Sequence, residues 1–408
     1  MDEPKLDEGQ LRRRDPAAWT ALLHHEPDLQ DVVVTAVSAQ PITTPASYRR
    51  RQQVIRYTLA LAGHTDPVTF IGKTTNPAEA NFYQHIAPQL PDLAPRCWYV
   101  HQRQGRGWII LNDVPNHFPP QTWSVQALEE VIGQMTGWHS AFWRQQKRLE
   151  RDGFAHFIGE RTYGWTELQT LESVYFEEGP AAVISNHAIY NAHNLAPRFL
   201  RAANGLAVMR SLHGWPGILA ESHLTAVADL LDDPVPILEP LRELPVTLLH
   251  GDPHTYHWRL TLFGEQRLFD WQKAGIGPGV LDLVSFLEQF ERLNNAEGGG
   301  IRVRPSWPAT EETIIDSYLL GMSAELGKKF NARACRQAIM AARCLFVLLH
   351  WMPQFADWFA DMPNVYAWQR LNRMSDEQLL GTMYEPMVGL RPYLANVFQR
   401  FLHAYRTL

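Results

Sequence analysis

The stretch that decides the fold begins as an apolar strand and ends in polar residues: Leu248-Leu249-His250-Gly251-Asp252-Pro253-His254-Thr255-Tyr256-His257-Trp258, followed by Leu268-Phe269-Asp270-Trp271. The apolar residues predict a short buried strand that delivers Asp252 onto a loop. A hairpin of Trp258–Leu262 and Arg267–Trp271 then brings His257 and Asp270 to the same open end. Two acids placed in this way suit phosphoryl transfer, in which one orients an acceptor hydroxyl and the other binds a metal ion.

These residues resemble the aminoglycoside phosphotransferase and choline kinase superfamily, whose pattern is H-G-D-x-x-x-x-N, a short hairpin and then D-[WF]. The segment Gly277-Pro278-Gly279-Val280-Leu281-Asp282-Leu283 is similar to the G-P-x-x-D-L-A segment that follows in the family. The resemblance implies a two-lobed fold like that of protein kinases, with ATP, or GTP in its place, as phosphoryl donor and Mg²⁺ as metal ion. By position it implies that Asp252 orients or deprotonates the acceptor hydroxyl, that Asp270 binds the metal, and that Asp282 braces the catalytic loop from a helix.

His257 departs from the family pattern, which has Asn at this position. A neutral imidazole can ligate a metal ion, but Mg²⁺ prefers hard oxygen donors. We therefore treat His257 as a candidate metal ligand that acts directly with Mn²⁺ or through a water molecule, and loss of metal binding is the alternative.

The N-terminal part predicts strands, one helix and two more strands, in the order Val32–Val37, Gln53–Leu61, Val68–Lys73, a helix opened by Asn76, Trp98–His101 and Gly107–Leu111. Lys73 ends the third strand, and it stands out because the chain has only 6 Lys. Kinase-like folds place their phosphate-binding Lys at this position and its Glu partner in the next helix, where Glu79 lies. The alternatives are a solvated strand-end Lys and a capping-box Glu that accepts from the Asn76 backbone.

Two further stretches would complete a nucleotide site. The fifth strand leads into Asp113 and Val114, whose backbone groups we expect to hydrogen-bond adenine at the hinge between the lobes. The turn between the first two strands contains no Gly, unlike a glycine-rich phosphate loop, but its backbone amides from Thr44 to Ser47 and the Ser47 hydroxyl could contact phosphate.

Composition limits the remaining possibilities. A length of 408 residues allows two lobes, and 45% hydrophobic with 20% charged residues is ordinary for a globular protein. The net charge of −6 argues against nucleic-acid binding, and the absence of a long unbroken apolar run argues against a membrane span. Three scattered Cys fit a reducing cytoplasm. Oligomeric state is not indicated.

We therefore predict an α+β, bilobal protein-kinase-like fold, with a small antiparallel β-sheet lobe carrying one helix over residues 1–114. A larger, mainly helical lobe with the catalytic loop and acceptor-binding helices would cover residues 115–408. The predicted activity is transfer of the γ-phosphoryl group to a hydroxyl of a small molecule, such as an aminoglycoside, an amino alcohol or a sugar-like compound.

Two other functions stay open. His250, His254 and His257 could hold Zn²⁺ in a metal-dependent hydrolase, although this leaves Lys73 and Asp282 unexplained. The His257 replacement also allows a nucleotide-binding protein with impaired catalysis.

The aromatic group of Trp351, Phe355, Trp358 and Phe359 is read first as core and second as a cage for an amine substrate. Of the other candidates, His139 is read as a core residue near the catalytic loop. The acidic residues offered for the acceptor pocket are expected to face solvent: Glu288, Glu291, Asp357 and Asp361.

Overall fold

The computed structural model describes residues 8–42, 54–103, 105–114, 117–159, 184–261, 264–294, 301–303, 308–382 and 384–408. The chain forms two compact units. The first comprises residues 1–119, 150–154 and 256–274, and the second comprises residues 120–149, 155–255 and 275–408. The division into lobes at 1–114 and 115–408 stays a prediction.

The first unit is built on a five-stranded antiparallel sheet in the order β1-β2-β3-β5-β4. Its strands are β1 Val34–Pro41, β2 Val54–Leu61, β3 Val68–Thr75, β4 Cys97–Arg103 and β5 Arg106–Asn112. The predicted order of three strands, one helix and two strands is confirmed, and each strand begins and ends within a few residues of its expected place.

Among the described residues of this unit, the sheet is accompanied by the α-helices α1 Glu8–Arg12, α2 Pro16–Leu23 and α3 Pro77–Asn81, the last continued by a π-helical turn over Phe82–Ile86. At the start of α2 the Asp15 side chain accepts the backbone N–H of Ala17, and Pro16 occupies the first helical position. Trp19 of α2 packs on Tyr57 and Phe70 of the sheet, with ring centroids 4.9 and 5.6 Å apart. These aromatic side chains fix one face of the sheet, and β3 therefore has a rigid support.

The second unit is mainly helical. Up to the catalytic loop, its described residues form α4 Val125–Ala141, α5 Gln146–Arg151, α6 Asn186–Ala192, α7 Ala196–Ser211, α8 Glu221–Asp232, α9 Val235–Arg242 and β6 Thr247–Leu249. Of α5, Gln146–Leu149 belong to this unit and the end belongs to the first. The short buried strand predicted before the catalytic loop is β6, which pairs with Gly275–Gly277.

The hairpin that follows the catalytic loop belongs to the first unit and consists of β7 Trp258–Leu260 and β8 Gln266–Leu268. The predicted strand bounds, Trp258–Leu262 and Arg267–Trp271, would pair Trp258 with Trp271, but Trp258 pairs with Leu268, so the predicted register was wrong. The reason is local. Gly264 adopts a φ of 76°, and the Thr261 N–H donates to the Glu265 carbonyl, which closes the turn early.

The remaining elements return to the second unit: β9 Gly275–Gly277, α10 Val280–Phe290, β10 Arg292–Asn294, β11 Ile301–Val303, α11 Glu311–Leu326, α12 Ala332–Phe346, α13 Met352–Phe359, α14 Val365–Asn372, α15 Asp376–Leu379 and α16 Pro386–Thr407. Among the described residues, one continuous helical run, Ala332–Phe359, is long and apolar enough to cross a membrane, with a mean hydropathy of 1.3. Within the protein, 67% of that window is buried, which is also the behaviour of a core helix.

Candidate active site

Lys73 lies near the end of β3 with its ammonium group between two carboxylates. Its Nζ donates to Glu79 Oε1 at 3.0 Å and to Asp270 Oδ1 at 2.5 Å. The side chain is only 12% exposed, so it is not the solvated strand-end Lys of the alternative reading. The preceding Gly72 is required by packing, because a Cβ there would lie 2.5 Å from the Trp108 ring and 2.6 Å from the Tyr57 ring. The sequence Gly72-Lys73 therefore combines a tight sheet contact with a buried cation.

Glu79 is fully buried in α3, and both of its carboxylate oxygens have partners. Oε1 accepts from Lys73, and Oε2 accepts from the Thr75 hydroxyl. The cap of the helix is made by Asn76 instead, whose Oδ1 accepts the Glu79 backbone N–H at 3.1 Å. The Glu79 side chain is thus the ion-pair partner of Lys73, and the capping-box reading of its carboxylate was wrong.

Asp270 follows the hairpin in a left-handed conformation, with φ 67° and ψ 54°. This conformation is uncommon for a residue other than Gly and is found where surrounding contacts enforce it. Two contacts do so: the Trp271 ring stacks on Phe82 with centroids 3.7 Å apart, and Asn76 Nδ2 donates to the Gln272 carbonyl at 2.7 Å. The residues that flank α3, Asn76 and Phe82, therefore position Asp270, and α3 itself carries Glu79.

The charges of Lys73 and Asp270 stabilise each other. Burial alone would lower the pKa of Lys73, but the Glu79 and Asp270 carboxylates outweigh it and raise that pKa above its ordinary value. Burial would likewise raise the pKa of Asp270, yet Lys73 and His257 hold it well below the usual range. Asp270 is consequently ionised at neutral pH and available as an anionic ligand.

His257 lies beside Asp270, with Nε2 3.3 Å from Oδ2. The side chains are 17% and 35% exposed, so a ligand can reach both. Two neighbouring ligands of an octahedral ion with bonds of about 2.1 Å lie about 3 Å apart, which the observed separation approaches. One carboxylate oxygen and one imidazole nitrogen therefore fit a divalent ion in spacing, and the nitrogen donor favours Mn²⁺ over Mg²⁺.

The predicted adenine site is partly described. The Asp113 side chain binds within the sheet, because Arg56 Nε donates to its Oδ2 at 2.6 Å. Its backbone N–H donates to the Thr69 carbonyl at 3.4 Å, and the Val114 carbonyl lies 3.1 Å from His117 Nδ1. Adenine binding by Asp113 and Val114 stays a prediction. Ser47 lies outside the described residues.

Asp252 belongs to the second unit and follows β6 on a loop shaped by Gly251, whose φ is 83°. Asp282, in the first turn of α10, binds the backbone of this loop through its carboxylate. Its Oδ2 accepts the His250 N–H at 2.7 Å and its Oδ1 accepts the Gly251 N–H at 2.8 Å. Asp282 is 1% exposed, and these charge-assisted bonds fix the loop in the bracing role that the resemblance implied.

His139 supports Asp282 from α4. It is fully buried, its Nε2 lies 3.3 Å from Asp282 Oδ2, and its Nδ1 lies 2.9 Å from the Tyr318 hydroxyl. Its own carbonyl accepts from the Thr247 hydroxyl at 2.7 Å. His139 is therefore the core residue near the catalytic loop that the sequence indicated, and it connects α4 and α11 to that loop.

The position of His250 does not favour the zinc site of three histidines. This residue is fully buried, and its Nδ1 accepts the backbone N–H of Asp252 at 3.2 Å. The imidazole therefore stabilises the loop through its lone pair, which a zinc ligand would need for the metal.

Most of the aromatic group and two of the acidic candidates are buried or ion-paired within the protein. Trp351 and Phe355 are fully buried and Phe359 is 5% exposed, so core packing is the better reading. The expectation that Glu288 faces solvent was wrong, since it is 2% exposed between Arg343 and Arg400, whose guanidinium groups neutralise it. Glu291 is 13% exposed and also pairs with Arg400, while Asp357 and Asp361 are exposed as expected.

Sequence reasoning missed Gln289, which contacts Asp252 directly. Its Nε2 donates to Asp252 Oδ1 at 2.8 Å. A signal was present, because Gln289 follows Asp282 by seven residues and thus lies on the same face of α10 two turns later. A Gln in an apolar helix is weak evidence by itself, and only the fold shows which loop that face contacts.

The family model described as "Phosphotransferase enzyme family" matches residues 72–308, which is more than half of the chain and contains Lys73, Asp252, Asp270 and Asp282. A search of curated protein sequences finds no match.

Solved structures with similar folds include three kinases. A choline kinase from Cryptosporidium parvum Iowa II is 10% identical, with a TM-score of 0.48 and 96% of each chain covered. An aminoglycoside phosphotransferase from Alicyclobacillus acidocaldarius is 12% identical, with a TM-score of 0.42 and coverage of 90% of this chain and 91% of that one. A Plasmodium vivax ethanolamine kinase is 10% identical, with a TM-score of 0.43 and coverage of 90% and 89%. On the strength of the family model and the residues it includes, the chain belongs to the phosphotransferase enzyme family.

Proposed function

We propose that the protein transfers the γ-phosphoryl group of ATP, or of GTP in its place, to a hydroxyl group of a small molecule. The observation that carries the proposal is the buried cluster of Lys73, Glu79 and Asp270, in which one ammonium group contacts two carboxylates at 3.0 and 2.5 Å. A cation held by one buried and one half-exposed carboxylate is suited to exchange the second contact for a phosphate.

The site residues of the first unit would each have a distinct role. Glu79 holds Lys73 in the orientation that presents its Nζ to the α- and β-phosphates, while Asp113 and Val114 would contact adenine through their backbone. Asp270 and His257 would hold the divalent ion, Mg²⁺ or Mn²⁺, which when bound neutralises charge on the phosphates.

In the second unit, Asp252 would act on the acceptor. Its carboxylate orients the hydroxyl and accepts its proton as the hydroxyl oxygen forms a bond to the γ-phosphorus and the bond to the nucleoside diphosphate breaks. The Asp282 bonds to His250 and Gly251 hold the loop still during this step, so that little reorganisation is needed. Aminoglycosides, amino alcohols and sugar-like compounds are the acceptor classes to test.

Nucleotide binding is the first test. The melting temperature should rise with ATP or GTP in the presence of Mg²⁺ or Mn²⁺, because a ligand that binds only the folded state stabilises it. Lys73→Met should abolish most of this rise, whereas Arg336→Gln, at an exposed pair with Glu312 in the second unit, should keep it. A wild-type protein that no nucleotide stabilises with either metal contradicts the proposal.

An impaired, purely nucleotide-binding protein is distinguished by turnover. If the proposal is right, at least one acceptor class yields a phosphorylated product with equimolar nucleoside diphosphate. Nucleotide binding without any such product across the acceptor panel would support the impaired protein.

A further inference from the structure

Two side chains of helix α10 contact the loop that carries Asp252, one through the backbone of the loop and the other through the Asp252 carboxylate. Asp282 accepts the N–H groups of His250 and Gly251, and two turns later Gln289 donates to the Asp252 carboxylate at 2.8 Å. Gln289 is 3% exposed, so this bond forms away from competing water. A single helix face therefore fixes both the path of the loop and the side chain of its acid.

The orientation of the Gln289 amide is determined by its surroundings. Its nitrogen contacts Asp252 Oδ1, the Ser285 carbonyl at 3.2 Å and the Ser285 hydroxyl at 3.1 Å. An ionised carboxylate and a backbone carbonyl can only accept hydrogen bonds. The NH₂ group, and not the amide oxygen, must consequently face Asp252, and Ser285 holds it there.

The helix itself is held from its other side by a buried ion cluster. Glu288 Oε2 accepts from Arg400 Nε and Nη2 at 3.1 and 3.0 Å, and Glu288 Oε1 lies 2.9 Å from Arg343 Nε. The Tyr393 hydroxyl donates to the Glu288 carbonyl at 2.8 Å. Adjacent residues of one turn thus anchor the helix to α12 and α16 and direct an amide at Asp252, which gives Gln289 a fixed base.

We propose that Gln289 is a positioning residue for Asp252: its amide fixes the rotation of the Asp252 carboxylate and favours the ionised form that accepts the hydroxyl proton. This inference rests on the proposed function, because it assumes that Asp252 acts on the acceptor. Ser285 takes part indirectly by orienting the amide.

The test is Gln289→Met, which keeps the length and burial of the side chain and removes the donor. We expect kcat to fall about ten- to a hundredfold, with little change in nucleotide affinity. Since a hydrogen bond to a carboxylate favours its charged form, losing it should move the acidic limb of the kcat–pH profile to higher pH. Ser285→Ala should move the limb in the same direction by less.

Leu287→Val is the matched control on the same helix, because Leu287 is 1% exposed and apolar. It should lower the melting temperature without moving the acidic limb, which separates a loss of stability from a loss of positioning. If Gln289→Met does not fold, Ser285→Ala decides the question by the same limb.

Two outcomes are distinguishable. If Asp252→Ala is inactive, the inference is overturned by a Gln289→Met variant with wild-type kcat and an unmoved acidic limb. If Gln289→Met does not fold, the same result in Ser285→Ala overturns it. Full activity of Asp252→Ala overturns the proposed role of Asp252 itself, whatever the Gln289 variant does.

Discussion

Asp270 in the first unit and Asp282 in the second both lie near the predicted chemistry, but their carboxylates are held in opposite ways. Asp270 is 35% exposed and contacts two side chains, those of Lys73 and His257. Asp282 is 1% exposed and contacts two backbone N–H groups and a buried imidazole. A ligand can replace the side-chain contacts of Asp270, but it cannot replace the backbone contacts of Asp282.

The difference separates binding from rigidity. The Lys73 ammonium group can exchange a carboxylate for a phosphate without movement of the backbone. This property suits the proposed site, at which nucleotide would bind and be released. Backbone amides cannot leave Asp282 unless the loop moves, so that contact suits a residue that keeps Asp252 in place. Changes in the first unit should therefore alter ligand affinity and pH dependence, and changes around Asp282 should alter turnover.

The largest expected effect comes from Lys73→Met, which leaves Glu79 buried without its cation. Removing one partner of a buried ion pair typically costs about 3–5 kcal/mol. The free energy of unfolding, measured by urea denaturation, should fall by that order. The double variant Lys73→Met/Glu79→Gln should recover most of this stability but not nucleotide binding. Recovery of both would mean that Lys73 has only a structural role.

Asp282→Ala should come next, because it removes the acceptor of two buried N–H groups. At about 1.5 kcal/mol for each charge-assisted bond, the expected loss is about 3 kcal/mol, measured by urea denaturation. Asp282→Asn is the matched control, since it keeps an acceptor oxygen and the side-chain volume, and it should lose less. The comparison fails if Asp282→Ala keeps wild-type turnover, since the loop would then not depend on this carboxylate.

The pH dependence of stability should reflect the Lys73–Asp270 pair at both extremes. The folded-state pKa of Asp270 is depressed, so its contribution is present above the unfolded pKa of about 3.9 and is lost as pH falls below it. The pKa of Lys73 is raised, so its contribution is present below about pH 10.4 and is lost as pH rises above it. Melting temperatures across these two ranges measure both losses.

Asp270→Asn is the control for that profile. It should flatten the acid side by removing the titrating carboxylate, and the alkaline side should persist through Glu79. An unchanged acid side would show that the stability lost there belongs to other carboxylates.

The smallest effect is expected for His257→Asn, which replaces a nitrogen donor by the oxygen donor of the family pattern. The ratio of activity with Mg²⁺ to activity with Mn²⁺ should rise by about two- to tenfold, because Mg²⁺ prefers oxygen ligands. His187→Asn, at an exposed His that pairs with Asp233 in the second unit, is the matched control. An unchanged ratio would place the metal away from His257.

The sequence predicted most of what depends on local pattern. Asn76-Pro77 marked the start of α3, and alternating apolar residues marked the strands of the sheet in their correct order. The hairpin register was wrong because a single Gly264 conformation shifts the turn, and residue pattern alone does not specify it.

The helix face around Glu288 and Gln289 was also beyond local pattern. Burial of the Glu288 carboxylate depends on Arg343 and Arg400, which lie far along the chain, and the Gln289 contact depends on where the catalytic loop passes. Such pairings are determined by tertiary packing, and the spacing of residues along the sequence does not predict them.

The most direct test of the account is phosphoryl transfer from γ-labelled ATP to the panel of hydroxyl acceptors, with wild-type protein and Asp252→Ala side by side. We predict a labelled product with equimolar ADP for the wild type, with Mg²⁺ or Mn²⁺ present, and at least a hundredfold less for Asp252→Ala. Equal product formation by the two proteins would contradict the account.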